Sequence, residues 1–348
     1  MHDKTIVILT AMNLEYKAVQ SRLSGITVQI HPKGTRFEVG QLQNSDVRVA
    51  LALAYKGNQA AAVITERAVS HFNPVAVIFV GVAGALQPHL ELGDVVVANP
   101  VYAYHGATSE DDGTRARPRT WELSHRTHQI AAHVERDAGW ARQLPEGKEP
   151  RVHFGPVAAG EIALYSGASD VRRWLREHYN DALAVEMEAA GVAQAGHLND
   201  GLPAIMVRGI SDFADATKSA TDGQGWQPRA VANAAAFAAA LAASLAAELN
   251  APPGSAGSQG GSPQSGGFSN SIGDNSQVGV QGQNITVHGG IRFGQPGKGG
   301  GTTAKTVQAE VRAGRLKLIL DRSRRVLHDL AGLATAATAV ITAIRAAA

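Results

Sequence analysis

The chain has 348 residues, room for an enzyme-sized core and an appendage, and no cysteine, which excludes disulfides, thiol nucleophiles and cysteine-ligated zinc. Its formal net charge of +2 conceals an asymmetry. From residue 251 onward ten Lys and Arg stand against four Asp and Glu, a surplus of six positive charges, which leaves −4 on the first 250 residues. A basic tail of this kind is either a solvated helix face or a contact for an anionic partner, and no nucleic-acid partner is expected. Met1 to Asp3 lead straight into an apolar run without a charged leader, which predicts a cytoplasmic protein.

In chain order, Thr5 to Thr10 (TIVILT) is a β-branched run expected as a buried strand, and Leu14 to Leu23 has the period of an amphipathic helix. Phe37 to Leu42 and Val47 to Ala54 alternate like paired strands, and Asn58 to Phe72 has helical period. Val75 to Val80 is a further buried strand that runs into a turn, Gly81-Val82-Ala83-Gly84, and Asp94 to Ala98 is another strand. Tyr102 to Pro118 has no period and many charges, so it is expected as a long loop. His125 to Ala138, Ala168 to Tyr179, Ala189 to His197 and Arg229 to Leu249 are helices; Val152 to Ala159, Ala182 to Glu186 and Ala204 to Ile210 are strands. Strands alternating with helices predict an α/β domain over residues 1–250, with a mostly parallel sheet covered on both faces.

Four groups of residues are candidates for chemistry. Glu15 follows the first strand inside Ala11-Met12-Asn13-Leu14-Glu15, in the first turn of a helix and near its positive end. Gly81, Val82, Ala83 and Gly84 follow a buried strand, where glycine lets backbone approach a ligand closely. Glu186-Met187-Glu188 brackets a thioether between two carboxylates; a carboxylate accepts two hydrogen bonds, which suits the paired hydroxyls of ribose, and the thioether adapts to an apolar sugar face. Arg208, Ser211 and Asp212 lie at the C-terminal end of the last strand, where open α/β sheets hold their ligands.

Together these segments resemble the nucleoside phosphorylase and nucleosidase superfamily, and in detail the 5′-methylthioadenosine/S-adenosylhomocysteine nucleosidases. The resemblance spans most of residues 1–250 and none of the tail. It implies a three-layer phosphorylase-like fold and hydrolysis of the N-glycosidic bond of an adenine nucleoside or nucleotide. It also implies roles: Glu15 activates water, Asp212 protonates the departing purine, Met187 and Glu188 hold ribose, and Arg208 orders Glu15. Gly81, Val82, Ala83, Ser211 and Ile162 complete the substrate site, and Glu186 is a supporting residue. Water, two carboxylates and a good leaving group suffice, so neither metal nor organic cofactor is expected, and the family suggests a homodimer. Val82 stands where the family has serine.

Two other readings stay open. A phosphate-dependent purine nucleoside phosphorylase needs cations for phosphate near the first strand, where only Arg22 and Arg36 stand. A non-catalytic nucleotide-sensing scaffold would be driven by the tail. The chain also departs from the small nucleosidases. Arg115, Arg117 and Arg119 sit in the Tyr104 to Arg119 loop, Lys218, Trp226 and Arg229 follow Asp215, and Gly160-Glu161-Ile162-Ala163 replaces an aromatic-bearing adenine loop. This pattern resembles nucleosidase domains of defence systems, with the cations either meeting 5′-phosphates or serving solubility.

Residues 251–302 are rich in Gly, Ser, Gln and Asn and too poor in aliphatic side chains to offset chain entropy by burial. Within them, 269–293 is either a flexible linker or a segment resembling short amyloid-like signalling motifs that recruit a matching partner. Residues 303–348 carry two apolar stripes at helical spacing, which predicts a helix that pairs or oligomerises; its Ala- and Thr-rich end makes a membrane span the lesser reading.

Overall fold

The computed structural model describes residues 5–137, 139–144 and 149–250. The expectations for the linker, the 269–293 motif and the 303–348 helix all lie outside the described residues.

The chain opens with β1 (Thr5–Thr10), α1 (Asn13–Gln20), β2 (Leu23–Ile30), β3 (Arg36–Leu42), β4 (Arg48–Leu53), α2 (Asn58–Phe72) and β5 (Ala76–Ala85). It continues through β6 (Val95–Ala103), β7 (Ala107–Glu110), β8 (Gly113–Ala116), β9 (Arg119–Trp121), α3 (His125–Asp137) and β10 (Val152–Ala159). It ends with α4 (Asp170–His178), β11 (Ala184–Glu186), α5 (Ala189–Leu198), β12 (Ala204–Asp212), α6 (Lys218–Gly223) and α7 (Trp226–Asn250).

All six residues of β1 are buried, as a β-branched strand in the middle of a covered sheet should be. The run β4-β1-β5-β12 is parallel, whereas β2, β3, β9 and the β6–β12 pair are antiparallel, so the ten-stranded sheet is mixed. Alternate residues point to opposite faces. Ile6, Ile8, Ile78 and Val80 pack with α1, α3 and α7 through Val19, Ile130 and Phe237. Val7, Leu9, Val77 and Phe79 pack with α2 and α5 through Ala61, Ile64, Ala189 and Val192. The result is the expected three layers.

At one end the sheet closes on itself. β5 bonds β12, β12 bonds β6, β6 bonds β10, β10 bonds β11, and β11 returns to β5 through Ala184–Ala85 and Val185–Gly84. This circuit brings the C-terminal ends of β5, β11 and β12 together.

Several sequence expectations need correction. The helix expected to reach Leu23 stops at Gln20, and β2 begins at Leu23. β2 is an edge strand with Gly25 in a left-handed conformation (φ 62°) and mostly exposed side chains, so it has no alternating apolar signature. The stretch expected as a loop from Tyr102 to Pro118 contains the end of β6 and the β7–β8 hairpin, and β9 follows it at once. That hairpin is exposed and closed by Arg115 with Glu110 and Asp112, both at 2.6 Å, so charge rather than apolar alternation marks it. Finally, Gly81 to Gly84 is not a turn: β5 runs through it to Ala85. Among the described residues one helical stretch, Trp226–Leu249, is long and apolar enough to cross a membrane, yet Val231, Phe237, Leu241 and Leu245 are fully buried against the sheet.

Candidate active site

The circuit's open end holds a cleft that opens to solvent. Glu15, Val82, Ala83, Ile162, Met187, Glu188, Ser211 and Asp212 all line it. Gly81 and Arg208 lie directly behind that wall.

Glu15 enters from the first turn of α1 and is 2% exposed. Its Oε2 accepts from the N–H groups of Ala11 and Met12, each at 2.9 Å, and its Oε1 from Val82 N–H at 3.0 Å. The family serine at position 82 is therefore not needed for this contact, because the backbone makes it. Burial pushes the Glu15 carboxyl above its ordinary range, while Arg208 and these three backbone donors pull against it. Gly81 makes the arrangement possible. A Cβ there would stand 2.5 Å from Arg208 Nη1 and 2.8 Å from Glu15 Oε1, closer than any real contact.

Glu186 lines the cleft too, and supports it in two ways. It is buried, pairs with the fully buried Arg208 guanidinium, and accepts from the N–H groups of Glu188 and Ala189 at 3.0 Å, closing the N-terminal end of α5. Arg208 in turn lies over the Phe79 ring, 4.5 Å from its centroid. Its Nε and Nη1 make no hydrogen bond to a described residue. Its nearest ion-pair partner is thus Glu186, with Glu188 farther off, and it acts on Glu15 through space.

Glu188 is 7% exposed; its Oε1 accepts from Gly57 N–H at 3.1 Å and its Oε2 lies 3.9 Å from Arg208 Nη2. Burial and the neighbouring Glu186 push it up to about 7, against the pull of Arg208 and Gly57. Asp212 is also buried; its Oδ1 accepts from Ala214 N–H at 2.9 Å, and its Oδ2 accepts from Ser211 Oγ at 2.8 Å and pairs with Lys218 Nζ.

Sequence reasoning passed over three groups. Gly57 and Asn58 open α2: Asn58 donates to Gly160 O at 2.9 Å and accepts from Gly191 N–H at 3.1 Å, tying the 160–165 segment to α5. A Gly-Asn pair between a strand and a helix was the available signal. Tyr165, two residues beyond Ala163, lines the cleft and is 58% exposed, so an aromatic stands close to the segment that itself has none. Lys56 lines the cleft as well.

The cations singled out for 5′-phosphate divide. Lys218 lines the cleft, but on Asp212. Arg115 and Arg117 pair with Glu110 of their own hairpin, Arg119 lines a separate groove, and Arg229 sits over Trp226, 5.1 Å from its ring centroid, in another hollow.

The decisive comparison is with sequence families: residues 5–243 match the model of the phosphorylase superfamily. The chain belongs to this superfamily. Among superfamily relatives, the ATP nucleosidase Cap17 of Escherichia coli is 30% identical over 244 residues, covering 63% of this chain and 48% of the relative. The chain thus spans about half the length of that relative. The 5′-methylthioadenosine/S-adenosylhomocysteine nucleosidase of Staphylococcus epidermidis is 29% identical over 215 residues, 60% of this chain and 87% of the relative. Among solved structures, the nucleosidase of that name from Neisseria meningitidis, bound to methylthio-immucillin-A, superposes with a TM-score of 0.58 at 25% identity, over 68% of this chain and 98% of that one.

For a ligand that Glu188 holds through hydroxyl donors, a carboxylate and not a carboxyl is needed, so its kcat/KM or affinity is expected to rise with pH through about 7, the value to which Glu188 is pushed. The rise near 7 should be shallower in Glu188→Gln. Stability should move the other way. The folded state holds this proton between the ordinary carboxylate range and about 7 while the unfolded chain does not, so the contribution of Glu188 to stability falls as pH climbs through that window.

Proposed function

We propose that the domain hydrolyses the N-glycosidic bond of adenine nucleosides or nucleotides, releasing adenine. The observation that carries this reading is the meeting of Glu15, Glu188 and Asp212, 173 and 24 residues apart along the chain, in one cleft. Glu15 takes a proton from water, and the oxygen attacks C1′ as the bond to N9 breaks. The bonding electrons leave with the base, and Asp212 delivers a proton to N7, so that neutral adenine departs. Glu188 accepts from the 2′ and 3′ hydroxyls, and the Met187 thioether lies against the sugar. Arg208 favours the charged form of Glu15, the form that can accept the proton.

Hydrolysis is favoured over phosphorolysis because neither Arg22 nor Arg36 lines the cleft, whose lysines are Lys56 and Lys218. The Cap17 relative, named as an ATP nucleosidase, supports a 5′-phosphorylated substrate in preference to a thioether. The assay is adenine release from methylthioadenosine, adenosine and ATP, with and without inorganic phosphate. Phosphate-independent release is expected; dependence on phosphate with formation of ribose 1-phosphate, or binding without turnover, would replace this reading.

We further propose a cytoplasmic homodimer. Val63 and Leu198, 50% and 72% exposed, border a wide groove between α2 and α5, which supports a covered surface there. Light scattering in solution tests it. A signalling partner for residues 269–293 is proposed on sequence grounds alone, and a pull-down with that segment as bait is its test.

A further inference from the structure

The three donors on Asp212 raise a difficulty that the hydrolase reading alone does not resolve. A general acid must carry a proton before it can give one away. Here Ser211 Oγ, Ala214 N–H and the Lys218 ammonium all point at the carboxylate, and the first and last of them both sit on Oδ2. The Ala214 donor is fixed in the backbone. The Ser211 hydroxyl can rotate and accept instead. Lys218 is the donor that must leave, and it is the one built to do so, because it is the first residue of α6 and ends in a flexible four-carbon stem. Its Nζ also lies 5.8 Å from the centroid of the Tyr165 ring, on the same wall of the cleft.

Only two cations line the cleft among the described residues, Lys56 and Lys218. An anionic substituent entering with the substrate therefore has two ammonium groups to meet, and one of them is holding the acid.

The geometry points to Lys218 as an anion-sensing latch that determines specificity for nucleotides bearing 5′-phosphates. This rests on the hydrolase reading above. With the cleft free of substrate, Lys218 occupies Asp212 Oδ2. A 5′-phosphate chain draws the ammonium away, Asp212 takes up a proton from solvent, and that proton passes to N7 as the glycosidic bond breaks. Glu15, having taken a proton from the attacking water, releases it to solvent. Lys218 then pairs again with Asp212. A neutral nucleoside fits the ribose and base positions but leaves the latch closed.

The test compares wild type, Lys218→Met and Lys218→Arg in the full chain, with kcat and KM for adenine release from ATP and from methylthioadenosine and a thermal melt of each. Removing the latch should raise kcat on methylthioadenosine by about tenfold or more, a modest part of the ~10²–10⁴ that general acid catalysis is worth. It should raise KM for ATP, and Lys218→Arg should restore discrimination. Equal changes on both substrates, or a fall on methylthioadenosine with an unaltered melt, would overturn the latch while leaving the hydrolase reading standing. No adenine from either substrate with wild type would overturn both.

Discussion

Asp212→Asn is expected to lower kcat for adenine release by about 10²–10⁴-fold, the usual worth of a general acid. The substitution keeps the shape of the side chain. Its oxygen can still accept from Ala214 N–H, and Ser211 Oγ can turn to accept from the new amide. Lys218 loses its ion pair but remains only partly buried, with 16% of its side chain exposed, so it can turn to water. The fold should therefore survive, which a melt within a few degrees of wild type would establish, and retained binding of adenine would separate loss of chemistry from loss of affinity. A variant that turns over at the wild-type rate would remove Asp212 from the mechanism and return the base end of the cleft to an unassigned state.

Arg208→Met is expected to cost about 3–5 kcal/mol in urea unfolding, because taking one partner out of a buried ion pair strands the other. Arg208 is fully buried, pairs with Glu186 and stands 3.9 Å from Glu188, with Glu15 on its other side across Gly81. Without it, three acidic side chains share a site that burial already makes hostile to charge. Methionine fills much of the volume, so the loss is mainly electrostatic. Glu186→Gln on the same background should recover part of the stability, since the amide oxygen can still accept from the N–H groups that open α5. Arg208→Met should also carry the activity limb to higher pH: burial raises the Glu188 and Glu15 carboxyls and Arg208 opposes both, so without the cation a higher pH is needed to ionise them. Equal stability of the variant and the parent would show that Arg208 is not the electrostatic centre of the site.

Much of this cleft was legible beforehand for a simple reason. Glu15, the Met187-Glu188 pair and Asp212 lie in short contiguous motifs at the ends of strands whose apolar runs are unmistakable, so both the place and the residue could be read together. What stayed hidden depends on contacts between segments far apart in the chain. Gly81 and Gly84 read as a turn because glycine favours turns, yet their smallness serves neighbouring side chains: a Cβ on Gly84 would stand 2.8 Å from Asp212 Oδ1. Glu186 looked secondary because nothing near it in sequence is positive; its cation arrives from β12, 22 residues later. Lys218 was grouped with loop arginines by charge alone, and only the fold separates a lysine on the acid from arginines matched within their own hairpin. The edge strand β2 and the hairpin escaped because exposed pairing leaves no apolar period to follow.

A ring of strands has no seam at which to part. β11 is bonded on both sides, to β10 and β5, and β12 likewise to β5 and β6. The platform that carries Glu186 and Asp212 is thus held on both sides, and a ligand is expected to enter past the segments that rim the cleft, among them 160–165 and 213–218. Deuterium should reach the amides of those two segments early and the amides of Val185 and Ile210 only when the whole domain unfolds.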